Sequence, residues 1–167
     1  MGEAGLTPAA YLNSLSLAAA RAALDRCCGA RHWVDAMLAA RPFVSDAELL
    51  ATAERVWWGL GRADWLEAFA AHPRIGGGGA VTAWARREQA GADGAAEATL
   101  AALAQGNLTY EERFGHVFLI SATGKTADEM LGALRGRLTN DPATELRVAA
   151  DEQAKITRLR LDKLVVS

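Results

Sequence analysis

Cysteine is nearly missing from this chain: there are two in 167 residues, and they are neighbours, Cys27 and Cys28. Adjacent side chains on a helix diverge, so the two do not pair with each other without strain. Two thiols at this spacing do not make a zinc site either. They read as packing residues at a helix end, which suits a reducing compartment. A cationic surplus is missing too. The formal net charge is −2, so no global field invites nucleic acid. No apolar run reaches the roughly 18 residues that a membrane span needs. The opening MGEAGLTPAAYLNSL has neither the basic start nor the apolar core of a secretory leader. Leu6 stands where a myristoylation signal requires Ser or Thr, and the closing LVVS is not a peroxisomal address. These absences predict a cytosolic protein with no nucleic-acid or membrane partner. Histidine is scarce as well, with three residues far apart and no HxxxH or HxxE spacing, which predicts no metal site.

What is present points to helix. Half the residues are hydrophobic (51%) and 23% are charged, an ordinary globular balance. The length suits a single domain, residues 1–167, with a sizeable core. Alanine is abundant and β-branched residues are sparse, which favours helix over strand. Thr7-Pro8 reads as a helix start. Residues 15–27 carry apolar positions at helical spacing up to Gly29. A short helix from His32 to Ala40 ends at Arg41-Pro42. Ser45/Glu48, Asp64/Glu67 and Thr126/Glu129 read as capping boxes. Asn107 reads as the cap of a further helix through Arg113, after one that runs to Gln105. Asp141-Pro142 opens a last helix, whose stripe of Leu146, Ala149, Ala150, Ile156, Leu159 and Leu164 is loose. Residues 114–124, FGHVFLISATG, form the one β-like run. One short strand makes no sheet, so the expected fold is an all-α, compact multi-helix domain.

The densest chemistry lies at HPRIGGGG, residues 72–79, followed by WARREQAG, residues 84–91. Histidine is the side chain most easily poised for proton transfer near neutral pH. Glycines let backbone approach a ligand closely, at an entropic cost that a purely structural loop rarely accepts. An isolated His72 would read as a helix C-cap; the proline and the glycine run beside it favour function. Glu88 and Gln89 alone would read as a solvated helix face. Gln89 carries both a donor and an acceptor, and Glu88 can orient a histidine or accept from substrate N–H groups. His116, in its apolar run, reads as a core or wall residue, and His32 as helix surface. Trp57, Trp58, Trp65 and Trp84 read first as core. ATGKT, residues 122–126, is not a phosphate loop, because Leu119 stands where that loop needs glycine; it reads as a turn followed by the Thr126 cap. Arg158 or Arg160 alone would be ordinary surface, although arginine offers planar, bidentate recognition of a carboxylate.

Taken in series, the motifs are more specific than any one of them. HPRIG, W-x-R-x-E-Q-A-G, Y-x-x-R-F-G-x-x-F, ATGK, R-L-x-N-D and K-I-T-x-L-R-L-x-K-L occur in this order over nearly the whole chain. CCGA near residue 27 and PF at residue 42 accompany them. The series resembles the 2-oxo-4-hydroxy-4-carboxy-5-ureidoimidazoline (OHCU) decarboxylase family, which acts third in the degradation of urate to allantoin.

The resemblance implies an all-α carboxy-lyase that needs no cofactor, is often a homodimer, and takes a small, anionic ureidoimidazoline. It implies that His72 is the catalytic histidine and that Pro73 fixes the chain after it. Glu88 and Gln89 would hold the substrate's N–H groups, and Arg160 would bind its charge. Backbone from Phe114 to Ile120 would line the site and add peptide hydrogen bonds. One departure stands out. The family usually carries serine three residues before the Glu, and this chain has Ala85. A lost neutral hydrogen bond is worth about 0.5–1.5 kcal/mol, so weaker binding is expected rather than loss of reaction. The Gly76–Gly79 run is also unusually rich in glycine. The rival expectations are a ring-opening ureide hydrolase and a catalytically inert helical binding module.

Overall fold

The computed structural model of the protein describes residues 6–72 and 93–164, with backbone alone for residues 93–96. Among the described residues there are eight helices and no strand: α1 Pro8–Ser14, α2 Leu17–Cys27, α3 Arg31–Ala40, α4 Asp46–Trp58, α5 Arg62–Ala70, α6 Asp93–Phe114, α7 Ala127–Arg137 and α8 Pro142–Asp162. The all-α expectation is borne out. The chain divides into two compact units, Met1–Ala68 with Gln153–Ser167, and Phe69–Glu152. No helix of the described residues is long and apolar enough to cross a membrane.

In the first unit the caps decide where helices begin and end. Thr7 caps α1 and Pro8 follows at its first position. The helix expected over 15–27 starts two residues late, because Ser16 takes the capping role, its hydroxyl accepting from the Ala19 N–H at 3.1 Å. Arg41 Nη1 closes the preceding turn by donating to the carbonyls of Leu12 (2.7 Å) and Leu15 (2.9 Å). Ser45 caps α4, but the Glu48 carboxylate accepts from Val44 N–H instead of completing the box. The Asp64/Glu67 box does not form. Helix α5 begins at Arg62, so Asp64 lies inside the first turn, paired with His32 at 2.6 Å. Glu67 accepts from Arg31 Nε at 2.8 Å. Leu12, Leu24, Trp33, Met37 and Leu49 are fully buried, and Trp33 Nε1 donates to the Ala53 carbonyl at 3.2 Å. Trp57 joins this core, and Trp58 packs edge-on against Trp65.

In the second unit α6 packs on α7 around Leu103, Tyr110, Phe114, Phe118, Ile120, Met130, Leu131 and Leu134. The break expected between Gln105 and Asn107 is absent: α6 runs through. Asn107 is buried in mid-helix, its amide donating to the Leu103 carbonyl one turn back at 3.0 Å. Such a back-bond satisfies within a helix the same side chain that would otherwise cap one. The Thr126/Glu129 box is complete, and Gly124 turns the chain into it at φ +78°. The buried face of α8 explains why its apolar stripe reads as loose. Glu145, Ala149, Glu152, Gln153, Thr157 and Leu161 are buried, whereas Leu146, Ile156, Leu159 and Leu164 are only half-buried. Much of the stripe is polar, which hydrophobic periodicity cannot register.

Candidate active site

His72 follows the end of α5 and lies in the second unit. Its N–H donates to the Phe69 carbonyl at 3.1 Å, extending the last turn, and the residue is half-buried. Phe69 itself is fully buried and packs on His116, ring centroids 5.2 Å apart. His116 also meets Tyr110 at 5.4 Å and Phe114 at 6.2 Å, and its Nδ1 lies 3.2 Å from the Val117 carbonyl. The expectation of a wall histidine is met. One aromatic cluster thus joins the turn that carries His72 to the segment that begins at Phe114.

That segment, residues 115–122, is neither helix nor strand, yet it is buried: Phe118, Leu119, Ile120 and Ser121 are 0–7% exposed. The β-like pattern reflects this burial rather than a sheet. Buried backbone must find hydrogen bonds somewhere, and here charged side chains provide them. Arg137 Nη1 donates to the Leu119 carbonyl at 2.8 Å, the Glu152 carboxylate accepts from the Ser121 N–H at 2.8 Å, and Lys125 Nζ donates to the Ser121 carbonyl at 2.9 Å. Between these anchors, the N–H and C=O of Ile120 make no hydrogen bond among the described residues.

Arg137 is itself held. Its Nε and Nη2 donate to one oxygen of Glu145, at 2.8 and 2.6 Å, and the Tyr110 hydroxyl donates to the same oxygen. The other Glu145 oxygen accepts from Asn140 Nδ2 at 3.0 Å. The guanidinium lies over the Phe118 ring, 4.6 Å from its centroid. Burial, and then the bond to Glu145, push the Tyr110 phenol well above its ordinary pKa and keep it a donor. Arg137, Glu145 and Glu152 were not singled out from sequence. Arg137 does sit in the R-L-x-N-D motif and Tyr110 opens Y-x-x-R-F-G-x-x-F, but the two glutamates look like any others on a charged helix.

Arg160 belongs to the first unit. It is exposed, and its Nη1 donates to the Arg26 carbonyl at the end of α2, 3.2 Å away. Arg26, Cys27, Lys163 and Leu164 line an open depression with it. Three cations on one rim suit an anionic ligand. Arg158 is exposed, and His32 faces solvent beside Asp64, as expected for surface positions. Cys27 and Cys28 are free thiols buried at the end of α2, as their packing role predicts. Pro73, the Gly76–Gly79 run, Trp84, Ala85, Glu88 and Gln89 lie outside the described residues. Of the expected site residues, His72, Phe114 and Ile120 belong to the second unit and Arg160 to the first.

Helices with no strand among the described residues, and an aromatic cluster that ties the turn of His72 to a buried, charge-anchored backbone segment, have the makings of a small-molecule enzyme. The family model for OHCU decarboxylase matches residues 13–162. The chain belongs to the OHCU decarboxylase family. It is 42% identical over 146 residues to the uric acid degradation bifunctional protein TTL of Arabidopsis thaliana, covering 83% of this chain and 45% of that protein. The chain thus spans less than half the length of that bifunctional relative. It is 34% identical over 136 residues to the 2-oxo-4-hydroxy-4-carboxy-5-ureidoimidazoline decarboxylase of Amia calva, covering 78% of each. Its fold matches a crystal structure of OHCU decarboxylase determined in the presence of (S)-allantoin, with a TM-score of 0.74 and 37% identity, over 86% of this chain and 96% of that one.

Proposed function

We propose that this protein decarboxylates OHCU to (S)-allantoin in urate degradation, as one domain over residues 1–167. The observation that carries the reading is the fold match to a decarboxylase crystallised with (S)-allantoin, over 86% of this chain. In the reaction the bond from the ring carbon to its carboxylate breaks and carbon dioxide leaves. The electron pair moves into the neighbouring C=N bond, the hydroxyl on the carbon that lost the carboxylate gives up its proton and becomes the carbonyl, and a proton is delivered to the ureido-bearing carbon from one face. The substrate supplies its own electron sink, so the chemistry asks for no pyridoxal or thiamine.

The protein's task is then orientation, charge stabilisation and proton delivery. His72 acts as acid/base on the substrate's hydroxyl or carboxylate. Arg160 stabilises the enolate-like charge electrostatically. Glu88 and Gln89 hold the ring in register, with Pro73 fixing the chain after His72. The peptide groups of Ile120 suit the neighbouring N–H and C=O groups of a ureide, and Phe114 closes the wall. The substrate is a small anion, and the enzyme works as a cytosolic homodimer.

Circular dichroism during urate breakdown tests the proposal. OHCU is generated freshly with the two upstream enzymes and its decay followed with and without this protein. A blank is essential, since the substrate also decays unaided to racemic product. Faster loss with a lasting (S)-allantoin signal is the expected result. Decay identical to the blank would sink the reading, and water uptake without carbon dioxide release would replace it with a ring-opening hydrolase.

A further inference from the structure

We propose that Arg137 and Glu152 are positioning residues that aim the N–H and C=O of Ile120 at the substrate; the inference rests on the decarboxylase reading given above. It starts from peptide planarity. A trans peptide unit is rigid, and its C=O and N–H point in opposite directions. The unit joining Leu119 to Ile120 is gripped at its oxygen by Arg137 Nη1, at 2.8 Å. Fixing that oxygen fixes the direction of the Ile120 N–H. The next unit, joining Ile120 to Ser121, is gripped at its N–H by Glu152 Oε1, also at 2.8 Å. Fixing that hydrogen fixes the direction of the Ile120 C=O. The two anchors hold one half of each peptide unit, and the two groups left between them make no hydrogen bond among the described residues.

The cost of the arrangement argues for a purpose. Arg137 and Glu152 are both buried, each 8% exposed. Burying charge is expensive unless it is paired and hydrogen-bonded. A segment that needed only to be covered could pair its backbone in a sheet or a helix at no such cost. Arg137 is in turn immobilised by Glu145 and by the Phe118 ring, so its fork reaches Leu119 from a fixed base. The result is one donor and one acceptor presented by a single residue from a rigid, water-poor wall. That pattern complements the edge of a cyclic ureide, which offers a carbonyl beside an N–H. Glycine or a flexible loop could offer the same groups, but not in a fixed direction.

Steady-state kinetics of the full chain on freshly generated OHCU separates positioning from mere structural support. A structural role lowers the fraction of folded enzyme, which lowers kcat per total protein and leaves KM alone. Misaimed peptide groups raise KM in the molecules that remain folded. Glu152→Ala is expected to raise KM at least tenfold, and Glu152→Gln, which keeps an acceptor oxygen, to return it to within threefold of the parent. Arg137→Lys, which keeps the charge beside Glu145 but cannot also reach Leu119, is expected to raise KM to a similar extent. If Arg137→Lys does not fold, the two Glu152 variants decide. Folded Glu152→Ala with KM within twofold of the parent overturns the proposal while leaving the decarboxylase reading intact. An inactive parent protein overturns both.

Discussion

Gly106 sits in mid-α6 so close to Leu134 of α7 that a Cβ built on it would fall 2.3 Å from Leu134 Cδ2 and 3.3 Å from Cγ. Leu134 is fully buried. Two effects oppose each other in Gly106→Ala. Alanine in a helix interior gains about 1 kcal/mol over glycine, while overpacking a dense core costs about 1–3 kcal/mol. The leucine must leave its rotamer among buried neighbours, so the repacking cost wins. We expect a net loss of about 1 kcal/mol, read as a lower urea midpoint with unchanged slope. A more stable variant would mean that α6 and α7 pack more loosely than this distance requires.

Glu145 is fully buried against Arg137, Tyr110 and Asn140. Removing one partner of a buried ion pair strands the other charge, at about 3–5 kcal/mol. Glu145→Ala should therefore lose that much, by chemical denaturation, and expose the segment around Leu119 to amide exchange. Loss of less than about 1 kcal/mol, the range of an exposed pair, would show that the cluster is wet and weak.

The thiols should be inert in the native protein. Burial pushes Cys27 up to about 12 and Cys28 up to about 11, although Arg160 beside Cys27 pulls the other way. The thiolate is the reactive form, so at pH 8 almost none is present. An aromatic disulfide reagent is expected to label both residues promptly in guanidinium and neither on the same timescale without it. Fast native labelling would show that the end of α2 opens readily.

The Thr126 cap gives stability an acid limit. Hydrogen bonds from Thr126, backbone first, hold the Glu129 carboxyl below its usual pKa of 4.5. A lowered folded-state pKa contributes stability that is complete above the unfolded value and fades as pH falls through the folded one. The stability difference between the parent and Glu129→Gln should thus be constant from pH 7 to about 5 and shrink below about pH 4. A difference that grows on acidification has the wrong sign and would remove Glu129 from the cap.

Capping chemistry was the most legible part of the sequence, because it is local. Thr7, Ser45 and Thr126 cap helices where their spacing places them. Asp64 misled because it stands inside the first turn of α5, not before it: one carboxylate oxygen accepts from the Gly61 N–H at 3.4 Å, and the other serves His32, 32 residues away, which no local pattern contains. Asn107 misled for the opposite reason: the side chain bonds within its own helix, which the next turn makes possible only if the helix already runs through. The candidate site divided in the same way. His72 stands out by its neighbours in the chain, and His116 by the apolar run around it. Arg137 and Glu152 do not, since their meaning lies in two backbone atoms of a distant, unpaired segment.

His72 itself allows the sharpest functional test. Its backbone closes the last turn of α5 through the Phe69 carbonyl, a bond that any residue but proline retains, so this turn survives replacement of the side chain. General acid–base catalysis contributes about 10²–10⁴-fold. His72→Ala and His72→Gln are therefore expected to lose at least about 100-fold in kcat with helicity and melting temperature unchanged. Gln keeps a hydrogen-bonding head but cannot exchange a proton near neutral pH. If Gln retains activity that Ala loses, His72 orients the substrate without moving a proton. If both keep near-parent rates, the acid/base assignment is wrong and the proton must come from elsewhere in the site.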